Sequence, residues 1–167
     1  VLFWCLNAQR LKQSGDIIFD AWSKDIDRMF EGTSPLKLDS LVVVGCAMLL
    51  YGLSLKNLLR GLVTEVNPES LLDMKLRSWS ESELNLGKLF KEAGIRLEKE
   101  ENDLVNRLTA FLEWAECYPV YKSVEMMGLP PLRVSPATPA PPLPIPTQKR
   151  AILDKLYGRL KAKLASN

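Results

Sequence analysis

The 16-residue run Ser40–Leu55 carries no charge and lies between Asp39 and Lys56. It opens a longer helical stretch, Asp39–Val66, whose first half is apolar on nearly every face. A helix apolar all round has to be packed on all sides. The run falls short of the ~20 apolar residues that cross a bilayer. The expectation is therefore a central core helix with the rest of the chain wrapped around it, and no membrane association. Gly45, Gly52 and Gly61 each lower helix propensity by about 1 kcal/mol relative to alanine. They are most easily kept where another helix approaches closely. Asn67-Pro68 ends the stretch, since proline disfavours a helical conformation in the residue before it.

Helical periodicity also organises the flanks. Phe3, Leu6, Leu11, Ile18, Trp22, Ile26 and Phe30 predict a first helix over Leu2–Phe30, with Gly15 softening its middle and Gly32 stopping it. Glu69–Ser80 is polar and weakly patterned, a connection. Leu86, Leu89 and Phe90 predict a third helix over Ser82–Ala93, stopped by Gly94. A fourth begins near Glu98, with Leu104, Leu108, Phe111, Leu112 and Ala115 as its inner stripe, and ends at Pro119. From Leu129 to Pro146 there are 8 prolines in 18 residues, incompatible with helix or central strand. Residues 129–147 read as a surface loop or semi-rigid spacer, with SH3- or WW-type recognition as the sharper alternative. A basic helix over 148–165 closes the chain on the stripe Ile152, Leu153, Leu156, Tyr157, Leu160 and Leu164. No segment reads as a strand. The expected fold is all-α, a single domain over 1–167, an up-and-down bundle of four to five helices with a proline-rich loop before the last.

Charge is unevenly spread. Val1–Pro68 holds 7 basic and 7 acidic residues, Glu69–Gly128 holds 8 and 12, and Leu129–Asn167 holds 7 and 1. Attraction to phosphate would concentrate in the last segment, which makes Lys149, Arg150, Lys155 and Arg159 the first expected nucleic-acid contacts. Lys56 and Arg60, four apart on the central helix, share a face. They either contact a phosphate between helices or run along the core edge to acidic partners. Glu98, Glu100, Glu101 and Asp103 open a helix where the dipole favours them, and they read as a solvated face rather than a metal cluster. Trp4, Trp22, Trp79 and Trp114, spread over different elements, read as core or interface aromatics.

There is no histidine, and the three cysteines, Cys5, Cys46 and Cys117, are far apart. That composition argues against a structural zinc site, and no metal or cofactor is expected. An odd cysteine count fits a reducing, cytoplasmic location. Val1 in place of methionine points to a processed or trimmed start. Cys117 beside Glu116 has neither a histidine to activate it nor a setting that favours the thiolate, so a plain thiol is the expectation.

Four segments in order resemble one family. Met48–Val63, MLLYGLSLKNLLRGLV, is similar to a pattern small-apolar-L-x-G-x-A-L-E-N-L-L-K-G-L. Leu84-Asn85-Leu86 through LFKEAGIRL to Leu97 is similar to H-D-L-x-x-L-x-x-x-A-G-I-x-L. Trp114–Lys122 is similar to W-A-G-R-Y-P-V-P-K, and Asp154–Leu160 is similar to the usual close. Together they cover a little over a quarter of the chain and resemble HEPN domains. The resemblance implies a helical bundle that pairs as a homodimer, often in prokaryotic defence or toxin–antitoxin systems. HEPN ribonucleases work through an Arg-x(4–6)-His motif, its histidine serving as acid or base. This chain has Lys56 for the usual glutamate, Leu84 for the histidine, and Glu116 and Cys117 for glycine and arginine. The expectation is a degenerate, non-catalytic member that binds RNA or a protein partner, with no catalytic residues to assign. An RNA endonuclease with a histidine-free site and a scaffold subunit of a larger complex are the alternatives.

Overall fold

The computed structural model describes residues 2–32, 38–68, 85–117 and 149–166. They form five α-helices: α1 (Leu2–Phe30), α2 (Leu38–Val66), α3 (Leu86–Glu92), α4 (Lys99–Cys117) and α5 (Arg150–Ala165). Among the described residues there is no strand. The all-α bundle is as expected. The connection at Glu69–Ser80 and the proline-rich stretch 129–147 lie outside the described residues.

The uncharged run does become the core. α2 packs against each of the other four helices, and Met48, Tyr51, Leu55, Leu58 and Leu59 are wholly buried. α1 packs along α2 in the opposite direction: the Ser54 hydroxyl donates to the Ala8 carbonyl at 2.8 Å, and Gly15 faces Ala47 and Tyr51. α5 runs antiparallel to α1 and sets Leu164 against Gly61 of α2. The window Val43–Val66 is long and apolar enough to cross a membrane, with mean hydropathy 1.3, but most of it is buried inside the bundle. Packing accounts for its hydropathy. Length alone does not argue against a span, as the count of uncharged residues suggested.

The glycines of α2 divide by their surroundings. A Cβ at Gly52 would meet the Leu112 side chain at 3.0 Å and one at Gly61 would meet Leu164 at 3.1 Å, whereas at Gly45 the nearest atom among the described residues is 3.9 Å away. Close approach explains the first two. Gly15, expected to loosen α1, is instead a contact point, with the Tyr51 ring 2.7 Å from where its Cβ would stand.

Three sequence expectations are corrected. Phe3 and Leu6, part of the apolar recurrence that predicts α1, are exposed, while Ala8, Phe19 and Trp22 are buried. α3 starts at Leu86 rather than Ser82, because Asn85 is extended and its side chain caps the helix by accepting from the Lys88 N–H at 3.0 Å. Glu101, read as solvated, is 1% exposed. Its carboxylate accepts the Glu98 N–H at 2.9 Å, the backward half of a capping box.

Candidate functional site

The last helix meets acidic residues on both flanks. Toward α1, Arg150 pairs with Asp16 at 3.2 Å and also with Asp20, and its guanidinium stacks 5.5 Å from the Phe19 ring. Toward α4, Lys149 pairs with Asp103, Lys155 with Glu98 at 3.6 Å, and Arg159 with Glu101 at 2.8 Å. All four residues expected to grip nucleic acid are thus placed against carboxylates of the same chain. The acidic middle of the sequence and its basic end attract one another.

The other expected contacts sit elsewhere. Lys56 is 3% exposed inside the bundle, out of reach of a phosphate in solvent. Arg60 is half-buried, with its guanidinium 5.8 Å from the Trp4 ring. The structure does not bring this pair together with the α5 residues. The Cys117 side chain lies outside what is described. Among the described residues no group of three or more histidine, cysteine, aspartate or glutamate side chains could hold a metal ion.

The densest polar cluster lies where α1, α2 and α5 meet. Asp16 accepts a hydrogen bond from the Tyr51 hydroxyl at 3.0 Å and from the Lys12 ammonium at 2.9 Å, besides pairing with Arg150. Lys12 reaches across to Asp154 at 2.6 Å and lies 5.6 Å from the Tyr157 ring. A shallow depression of about 340 Å³ opens over this seam. Sequence reading missed it. The available signals are Lys12 and Asp16 four apart on α1, beside a glycine that lets Tyr51 approach.

The chemistry of the seam is that of a lock. Burial, reinforced by the negative charge of Asp16, raises the Tyr51 phenol well above its ordinary range. Burial also raises Tyr157. Burial works against the Arg150 charge, but its hydrogen bond to Asp20 and the nearby carboxylates outweigh that and raise it. A general acid or base works best when it titrates near the operating pH. These shifts move phenols and guanidinium away from neutrality and hold each in one protonation state.

The fold and this seam together define an all-α bundle, five helices among the described residues, stapled by ion pairs along its last helix. No protein-family model matches the chain, and no curated protein or solved structure is significantly similar to it.

Proposed function

We propose that this chain is a non-catalytic interaction module, a HEPN-like bundle that holds a macromolecular partner rather than transforming one. The observation that carries this reading is the contrast between its charges and its apolar surface. Lys149, Arg150 and Arg159 are engaged by carboxylates of the chain, and Lys155 makes an exposed contact with Glu98. Leu2, Phe3 and Leu6, by contrast, open α1 at 73%, 67% and 48% exposed, and their three- and four-residue spacings put them on one face. A run of large apolar side chains facing water is characteristic of an interaction surface. Protein contact suits it better than a phosphate backbone does. Homodimerisation and a role in prokaryotic defence or toxin–antitoxin systems come with the HEPN resemblance as part of the proposal.

The test is incubation of purified protein with labelled structured RNA, reading cleavage and retention together, alongside mass by light scattering. The expected outcome is intact RNA and an assembly larger than the monomer that Phe3→Ser weakens. RNA cleavage abolished by an isosteric change such as Asp16→Asn, in a variant that keeps its helicity, would overturn the reading in favour of a histidine-free endonuclease.

A further inference from the structure

Two of the open depressions on this molecule are balanced in charge. Over the α1–α5 seam, Lys12 and Lys161 stand with Asp16 and Asp154. On the outer face of α1, Lys24 and Arg28 stand with Asp20 and Asp25. A third depression, of about 530 Å³ between α3, α4 and the turn that joins them, is different in kind. Lys88, Lys91 and Arg96 line it together with Asn102 and Asn106, and no described carboxylate does. Lys88 has an exposed partner in Glu92 at 4.0 Å, a contact of little energetic weight. Lys91 and Arg96 have no ion pair among the described residues.

The imbalance follows from how α4 distributes its side chains. Its carboxylates Glu101 and Asp103, with Glu98 just before it, reach toward α5. Asn102 and Asn106, one helical turn apart, face the groove. The floor is aliphatic where it is reachable: Ile95 and Leu97 are half-buried, while Phe90 beneath them is 1% exposed.

The groove is also built in advance. Gly94, at φ 64°, lets the Ile95 N–H donate to the Phe90 carbonyl at 2.9 Å and the Gly94 N–H to the Lys91 carbonyl at 3.0 Å, the paired bonds of a Schellman turn. From the other side the Arg159 guanidinium donates to the Arg96 carbonyl at 3.4 Å. A recess held open in this way does not have to be ordered when a ligand arrives.

We infer that the α3–α4 groove binds an extended acidic segment of a protein partner. The cations match its carboxylates. Each asparagine amide offers both a donor and an acceptor, as a peptide backbone requires. Ile95 and Leu97 receive an aliphatic anchor. Single-stranded RNA fits less well, because stacking needs an exposed aromatic plane and the one aromatic ring among the described residues of the groove, Phe90, is buried. The inference rests on the interaction-module reading and gives that module's partner a chemistry.

The test is fluorescence anisotropy at low salt with the full chain. The probes are a short labelled peptide of Asp, Glu and Leu, its Asn/Gln counterpart, and a labelled oligouridylate. The acidic peptide is expected to bind, and Lys91→Glu with Arg96→Glu to weaken it at least about tenfold, as the loss of charge-assisted contacts implies. Lys155→Gln, on α5, is expected to leave binding unchanged. Lys91→Gln with Arg96→Gln, checked for helicity, separates a charge effect from misfolding. Equal binding by groove variants and unaltered protein would overturn the inference. So would absence of peptide binding, or preferential binding of the oligouridylate lost in the groove variants, which would assign the groove to phosphate. A chain that leaves RNA intact yet ignores the peptide fails this inference alone. A chain that cuts RNA fails the reading beneath it as well.

Discussion

The Arg159 guanidinium stands 2.8 Å from the Glu101 carboxylate, an acid with 2% of its side chain exposed paired to a base with 38% exposed. The same Glu101 oxygen accepts the Glu98 N–H, so one atom closes the first turn of α4 and fastens α5 to it. Removing the arginine leaves the carboxylate buried without its cation. Breaking a buried pair in this way costs several kcal/mol, and the partial exposure of Arg159 lowers the figure. Arg159→Ala is expected to lose about 1–3 kcal/mol in urea unfolding. Glu101→Gln, which keeps an acceptor for the Glu98 N–H, should lose less.

Two glycine-to-alanine changes should move stability in opposite directions. At Gly15 the added methyl meets the Tyr51 ring at 2.7 Å, and that ring is tied to Asp16 through its hydroxyl. Overpacking of this kind costs about 1–3 kcal/mol. At Gly45 the nearest neighbour among the described residues is an ordinary contact 3.9 Å away, so alanine should add about 0.5–1 kcal/mol through helix propensity. Thermal melts of the two variants check both signs.

Tyr51 gives the fold an alkaline limit. Its folded pKa is raised, first by burial and then by Asp16, above the unfolded value of about 10. The stabilisation from keeping the phenol protonated is therefore full below about pH 10 and is withdrawn as pH climbs beyond it. Tyr51→Phe should lose about 1 kcal/mol at neutral pH with the hydrogen bond. Above pH 10 its stability should decline less steeply than that of the unaltered chain. Phenolate absorbance recorded during alkaline titration should lack one late-ionising tyrosine in the variant.

Asp103 reports on the other flank. Its hydrogen bond from Lys149 is the main cause of a lowered pKa. The contribution is present at neutral pH and lost as pH falls through that lowered value. In Lys149→Met the Asp103 carboxyl resonance should titrate closer to the ordinary carboxylate range.

Periodicity made the helices legible because apolar side chains recur wherever a helix has a core to face. Leu104, Leu108 and Phe111 on α4, and Leu153, Leu156 and Leu160 on α5, are buried as their spacing requires. The opening of α1 misled, since Phe3 and Leu6 satisfy the same spacing in a register that faces solvent. Asn85 set the true start of α3 through capping, which outweighed the apolar pattern. The polar sites were harder to read. The acidic middle and basic end of the chain are plain in the sequence, but the sum of charges in a segment does not show which faces meet. Lys149, Arg150, Lys155 and Arg159 looked available for phosphate because Asp16, Asp20, Glu98, Glu101 and Asp103, distant in sequence, come to them only through folding. The α3–α4 groove depends likewise on carboxylates and asparagines taking opposite sides of α4.

The docking of α5 between acidic flanks makes dissolved salt a structural variable. Its pairs with Asp20, Glu98 and Asp103 are partly exposed, within reach of counterions that screen charge over ~10 Å at 0.1 M. Concentrated electrolyte should loosen this helix before it disturbs the α1–α2 pair, whose contacts are largely apolar. Arg159 holds the Arg96 carbonyl, so the wall of the neighbouring groove would slacken with it. A ligand that leaves this protein at high ionic strength is then responding to two things at once: its own screened charges and a receptor whose latch has opened.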